Sequence, residues 1–419
     1  MKSSSLLWRA VGTTVLLAAF VSCTENLDSS GACAVLCPPV GGAVQNLTLD
    51  AVSLDTTVQA LSGLGAESGL LLAARGDTLD TRVVLRFDSL PATFVPSGDT
   101  AKPITSVDSS YIQLMLDTVA TKGLGPFTIE AYDVDTTAND TSTAALLSLF
   151  RPDRFISSQE FTREQLKDTV RYFISNAVVL NKIQSAARLR IGLRLTSPAS
   201  AQLLFASAEA GFPAALTFRA TPDTATARVS AALRSLTPTD NPVLRSHISD
   251  YTVVAKGPPP APASDLVIGG MPATRAYFRF DIPASIIDSA TVVRATLILN
   301  QVPASGLELP DTVRLLPALV LAGRAVTDPT RAAQIATDIA LDTVYVLPAQ
   351  AGPKSVELAR AFAIWRVTPA DSTPRAIVLR SAAEGVSAAR ATFYPSTAPA
   401  ALRPQLRISY TARIPLGLP

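Results

Sequence analysis

The chain has 419 residues, of which 48% are hydrophobic and 17% charged, with a formal net charge of +2. That length accommodates two or more domains, and so much apolar sequence excludes a mainly disordered chain. The near balance of charge and the absence of a long basic run argue against a nucleic-acid partner.

At the N-terminus, Lys2 and Arg9 bracket a short positive region, and Val11 to Val21 is almost unbroken apolar sequence. This run is short for a transmembrane helix and has the proportions of a secretory signal. It ends at Phe20-Val21-Ser22-Cys23, which resembles a bacterial lipobox, with a small residue before the cysteine and Phe20 where that motif usually carries Leu. The resemblance implies removal of residues 1–22, lipidation of Cys23 and attachment to a membrane through acyl chains. Thr24, where Asp would signal inner-membrane retention, implies an outer-membrane location facing the periplasm or the surface. Residues 23–46 then read as a tether with Ser29-Ser30-Gly31, Pro38-Pro39 and Gly41-Gly42. Within it, Cys33 and Cys37 fit a small disulfide loop in an oxidising envelope. Free thiols are one alternative. A zinc site is another and needs two more ligands, while the chain has a single histidine, His247.

Beyond the tether the pattern is short alternating segments divided by Gly, Pro and recurrent Asp-Thr pairs, the spacing of a β-sandwich or barrel. One pattern occurs twice. Arg82-Val83-Val84-Leu85-Arg86-Phe87-Asp88 and Arg275-Ala276-Tyr277-Phe278-Arg279-Phe280-Asp281 are both strands with apolar residues on one face and arginines on the other. The first copy, residues 47–222, starts with a strand over Thr56–Ala60 and a second over Gly69–Ala74 before its signature strand. Strands follow over Ser110–Asp117 and Phe127–Val134. A helix is predicted after Thr162, with Gln165 completing a capping box and Leu166, Val170 and Phe173 forming one stripe. Strands over Arg188–Leu195, Gln202–Ser207 and Ala215–Ala220 end this copy.

Residues 223–240 read as a linker in which Ala225–Leu236 forms a short helix or an extra strand. The second copy, residues 241–413, repeats the order: Tyr251–Lys256 matches the first strand, Asp265–Ile268 the second and Arg275–Asp281 the signature. The run Pro258-Pro259-Pro260-Ala261-Pro262 reads as a stiff loop between its first two strands. A late helix carries Leu358, Phe362 and Trp365, and strands over Ile377–Arg380, Ala391–Tyr394 and Gln405–Tyr410 precede a tail at 414–419. The fold class expected is all-β: two tandem jelly-roll-like β-sandwiches, each with one short helix.

Both copies resemble the bacterial and archaeal modules called DNRLRE or disaggregatase-related domains. The second copy carries the pattern in Arg279-Phe280-Asp281, Ala295-Thr296-Leu297-Ile298-Leu299, Trp365, Leu379-Arg380 and Pro404-Gln405-Leu406. The first keeps Arg86-Phe87-Asp88 and Leu193-Arg194, with Phe173 in place of the tryptophan and Ser110 in place of Ala295. The resemblance implies a sandwich like those of carbohydrate-binding modules, borne by surface enzymes or adhesins.

Catalysis finds little support. No Gly-x-Ser-x-Gly elbow is present, a serine triad would have to recruit His247, and no phosphate loop stands between a strand and a helix. The residues that suit ligand contact are Arg86 and Asp88 in the first copy and Tyr277, Arg279 and Asp281 in the second. Arginine grips carboxylates with two prongs, although an Arg–Asp pair two residues apart on a strand also suits a structural ion pair. Asp133, Asp135, Asn139 and Asp140 supply clustered oxygens of the kind a structural calcium takes. The expectation is a lipid-anchored, non-catalytic protein that binds a polysaccharide or cell-envelope glycan. The alternative is a scaffolding lipoprotein that binds an envelope protein.

Overall fold

The computed structural model describes residues 44–412 except 61–64, 88–89, 95–99, 137–141, 221–226, 233–249, 259–261, 263, 305–310 and 370–372. The signal, the tether as far as residue 43 and the tail, with Cys23, Cys33 and Cys37, lie outside the described residues, as does His247, while the end of the expected tether, Gln45 and Asn46, belongs to the first strand. Among the described residues no helix is long and apolar enough to cross a membrane.

In chain order the strands are β1 (Gln45–Leu49), β2 (Val52–Gln59), β3 (Gly69–Arg75), β4 (Leu79–Phe87), β5 (Thr93–Phe94), β6 (Lys102–Pro103), β7 (Val107–Lys122), β8 (Phe127–Asp133), β9 (Phe155–Phe161), β10 (Thr169–Phe173), β11 (Leu189–Thr196), β12 (Ala201–Ala206) and β13 (Ala215–Ala220). After them come β14 (Ala227–Ala232), β15 (Asp250–Lys256), β16 (Leu266–Gly269), β17 (Thr274–Phe280), β18 (Ala290–Val302), β19 (Val313–Val320), β20 (Ala336–Asp338), β21 (Val344–Val346), β22 (Gly352–Glu357), β23 (Ala376–Ser381), β24 (Arg390–Phe393) and β25 (Gln405–Ala412). Five short helices interrupt them: α1 (Thr143–Leu147), α2 (Asn176–Gln184), α3 (Ala284–Ile287), α4 (Pro329–Ala332) and α5 (Ala359–Val367). The chain is thus all-β, with two large antiparallel sheets that each fold over a core. Each copy has one nine-residue helix, α2 or α5, and the other three helices have four or five residues.

A single long strand carries each sheet from one layer to the other. The first half of β7 pairs with β10 and β13, and its second half with β12. In the other sheet β18 pairs with β22 and β25 and, at its far end, with β24. Alternation then fills the space between layers. In β11, Leu189, Ile191, Leu193 and Leu195 all join the first core, beside Leu85, Phe87, Ile112 and Phe205. The second core gathers Phe278, Phe280, Leu297, Leu299, Leu379 and Trp365. Trp365 lies 5.9 Å from the Phe280 ring and 5.3 Å from Phe362, an aromatic cluster that fixes α5 against the sheet.

The outer face of each signature strand is roofed as well. Val134, Leu146 and Leu149 cover Val84, Tyr132, Tyr251 and Val253 in the first sandwich. In the second, Ala322, Ala332 and Ala333 cover Val58, Tyr277 and Val378. Gly192 marks how close the first roof comes: a Cβ there would stand 2.5 Å from Phe150 and 2.6 Å from Val134. The first arginine of each signature pins its roof. Arg82 lies 4.6 Å from the Phe150 ring centre, and Arg275 donates to the Ala333 carbonyl at 3.0 Å while pairing with Glu384 at 2.7 Å.

The hydrogen bonding departs from the sequence expectation at the first strand of each copy. β2 does not join the first sheet but lies antiparallel on β17, with Thr57 opposite Ala276 and Asp55 opposite Phe278. β15 likewise leaves the second sheet and lies on β4, with Thr252 opposite Val83 and Asp250 opposite Leu85. The two registers are equivalent, since Val83 and Ala276 hold the same place in the repeated motif, as do Leu85 and Phe278. Each visiting strand also wedges into the mouth of a hairpin through the same threonine. The Leu71 N–H donates to Thr252 Oγ1 at 3.0 Å, and the Val267 N–H donates to Thr57 Oγ1 at 3.0 Å. β1 completes the exchange by pairing with β25. The first sandwich is therefore built from the contiguous stretch β3–β15, and the second from β1, β2 and β16–β25. The chain crosses between them at 60–68 and again at 257–265, the second crossing containing the proline run. Leu71, Ala73 and Leu79 meet Met271 and Ala388 where the sandwiches touch.

Two further expectations are corrected. The Thr162 segment is not helical: it is a turn between β9 and β10, with Gln165 Oε1 accepting from the Thr162 N–H at 2.8 Å. The capping-box contact forms without a helix because Val170 and Tyr172 alternate into the core as strand residues. Phe173 is 54% exposed and is no counterpart of Trp365. The helix of the first copy starts later, at Asn176, and buries Val179 and Ile183. In the segment that joins the copies the extra strand, and not the helix, is found: β14 pairs along the whole of β13.

The exchange predicts the behaviour of a nicked chain. If a protease site is introduced between β14 and β15 and cut, the two pieces are expected to co-elute in native size-exclusion chromatography and to separate only in denaturant. Separation under native conditions would show that the strands are not exchanged.

Candidate functional site

At the end of β17, where the roof of the second sandwich stops, a cavity of about 390 Å³ opens to solvent. Arg279, Phe280, Asp281, Arg324, Val326, Thr327, Pro374 and Arg375 line it. Backbone bonds tie its floor together: the Phe280 N–H donates to the Arg375 carbonyl at 2.8 Å and the Asp281 N–H to the Ala51 carbonyl at 2.7 Å. Arg375 Nη1 donates to the Ile282 carbonyl at 2.7 Å. The floor therefore needs β17, β23 and the exchanged N-terminal segment together. Three guanidiniums against one carboxylate leave the cavity with a surplus of positive charge. The Nε of Arg279 is buried without a hydrogen-bond partner. A guanidinium held so, with a donor unspent, favours an anionic or strongly polar ligand.

The residues expected to touch ligand divide sharply. Arg279 and Asp281 line this cavity. Tyr277 does not: it is fully buried under the roof, among Val58, Ala332 and Val378. Arg86, the first-copy equivalent of Arg279, is also fully buried and stands opposite the equally buried Arg190. The cause is the same in both cases, since alternation places these side chains on the outer face and the roof covers that face. Asp88 lies outside the described residues. Arg324, Thr327 and Arg375 were not singled out from the sequence, because they come from a connecting segment and from the start of β23, with no spacing that links them to the signature.

Of the four oxygens proposed for calcium, Asn139 and Asp140 lie outside the described residues. Asp133 pairs with Lys182 at 2.9 Å and Asp135 with Arg188 at 2.8 Å. Arg154 donates to the carbonyls of both residues, at 3.2 and 2.8 Å. Two carboxylates already neutralised by cations have little charge left to offer a metal. Among the described residues no group of three or more His, Cys, Asp or Glu side chains is placed to hold one.

No family model matches the chain, and no curated protein matches its sequence.

Tyr277 gives a simple test of this geometry. Its hydroxyl is buried with no hydrogen-bond partner, so Tyr277→Phe removes a stranded polar group. The variant is expected to be as stable as the parent or up to about 1 kcal/mol more stable in chemical denaturation. A loss of more than about 2 kcal/mol would mean that the hydroxyl has a partner.

Proposed function

We propose that the protein is a non-catalytic lipoprotein of the cell envelope that binds a polysaccharide or envelope glycan through its second sandwich. The observation that carries this reading is the arginine-lined cavity at the end of β17. It offers charged and hydroxyl-bearing side chains, Arg279, Arg324, Arg375, Asp281 and Thr327, around a floor held by backbone bonds from Phe280 to Arg375 and from Asp281 to Ala51. Binding groups held in place beforehand lose little entropy when a ligand arrives. Guanidiniums and carboxylates together match the dense hydroxyl and acid groups of a glycan. The resemblance to DNRLRE modules points the same way and adds the expectation of a sandwich that binds without cleaving. The lipid anchor at Cys23 belongs to this reading through the lipobox resemblance, and so does the outer-membrane location.

The test is titration of a soluble chain starting at Val44 with a panel of neutral and acidic polysaccharides, followed by calorimetry. Saturable binding to one class is expected, and the double substitution Arg279→Gln with Arg324→Gln is expected to weaken it about tenfold or more. Binding that survives the double substitution would move the site elsewhere. No binding across the panel would favour the scaffolding lipoprotein, whose partner is a protein.

A further inference from the structure

The two exchanged strands are each held by an aspartate at the equivalent register, Asp55 within β2 and Asp250 at the start of β15, but in unlike surroundings. Asp55 of β2 accepts from the Ser396 N–H at 2.6 Å and from the Ser396 hydroxyl at 2.7 Å. Asp250 of β15 accepts from the Ala208 N–H at 3.1 and 3.4 Å. It has no hydroxyl there and is fully buried. The turn it grips is anchored on the residues before β3: Ser207 donates its hydroxyl to the Glu67 carbonyl at 2.6 Å and its N–H to the Ser68 carbonyl at 3.4 Å. Glu209 follows in the same turn. Glu67 is pressed from the other sandwich, where a Cβ on Gly385 would stand 2.5 Å from its Cγ, and its Oε2 is buried without a hydrogen-bond partner. Three carboxyl groups thus converge where β15, the turn after β12 and the second sandwich meet.

We infer that Asp250, with Glu209 and Glu67, forms a protonation-dependent clasp that fastens β15 to the Ser207–Gly211 turn in acid and loosens as pH rises through neutrality. The charges facing Asp250 are those of Glu209 and Glu67, both of its own sign. In the second sandwich's turn that packs on Glu67, Glu384 is tied to Arg275 at 2.7 Å. A buried carboxyl among like charges keeps its proton, and the protonated form can share that proton with its neighbour. Burial, with the charges of Glu209 and Glu67 adding to it, pushes the Asp250 carboxyl from 3.8 up to about 7. Burial likewise pushes Glu67 upward. A carboxyl raised in the folded state adds stability that is full below 3.8 and is lost as pH climbs to about 7. The clasp therefore tightens on acidification, slackens as pH climbs towards about 7 and stays slack above it. It requires no ligand, and it stands or falls independently of glycan binding.

Amide hydrogen exchange on the soluble chain from Val44 onward tests the clasp, comparing about pH 5.5 with about pH 8.5 after correction for the intrinsic exchange rate. Protection across 207–212 and the start of β15 is expected to fall about tenfold or more at the higher pH. Asp250→Asn keeps an oxygen for the Ala208 N–H but carries no charge, and should hold the acid level of protection at both pH values. Glu209→Gln removes one facing charge that helps hold the Asp250 proton and should move the transition to lower pH. This variant tests the clasp even if the Asn variant fails to fold. Unchanged protection at 207–212 in the parent would overturn the clasp. So would an undiminished pH response in both variants.

Discussion

The structure depends on a reciprocal exchange of strands. Each signature strand, β4 or β17, offers a backbone edge that its own copy leaves open, and the strand that covers this edge comes from the other copy. An uncovered edge inside a sheet would leave unsatisfied N–H and C=O groups, so the two halves cannot be completed separately. The equivalence extends to single atoms, with Thr57 and Thr252 bonding the facing hairpin strand in the same way. Any account of this chain as two beads joined by a linker misplaces the bonds that hold it together.

The exchange also decides where a ligand can approach. Because each visiting strand widens the sheet beneath a roof, the outer face of the signature strand becomes interior for most of its length. Tyr277 and Arg86 are lost to solvent in this way. At the end of β17, beyond the reach of Ala322, Ala332 and Ala333, the arginine-bearing face emerges, and there Arg279 is joined by Arg324 and Arg375. The site is thus a product of where the roof ends more than of the motif that runs through it.

Much of this was legible in the sequence. Alternation gave β4, β8, β11, β13, β17 and β23–β25 nearly to their ends, because a strand buried on one face has a period of two that few other structures imitate. The i, i+4, i+7 stripe of Leu358, Phe362 and Trp365 gave α5. The same rule failed at Leu166, Val170 and Phe173, where a capping contact and an apolar stripe coincide with a strand pair. Local signals of that length do not separate the two, and tertiary pairing with β7 decides. The exchange was not legible for a stronger reason. β2 and β15 present similar residue types at the same register, so the alternation of each sequence suits either seat. The cavity was half legible: Arg279 and Asp281 stood out by repetition, whereas Arg324 and Arg375 have no counterpart in the pattern.

The pairing of β1 with β25 has a further consequence for the architecture. The second sandwich owns both ends of the described chain, and the first is nested between Gln59 and Leu266. Trimming from either end therefore erodes the second sandwich, together with the cavity floor that Ala51 helps to build, before it reaches a strand of the first. The first sandwich, being contiguous, is the part that can be excised whole. A gene that acquired the first module inside the second, or that lost it again, would need to alter the chain only at two crossings, so the nested order makes the inner sandwich the replaceable one.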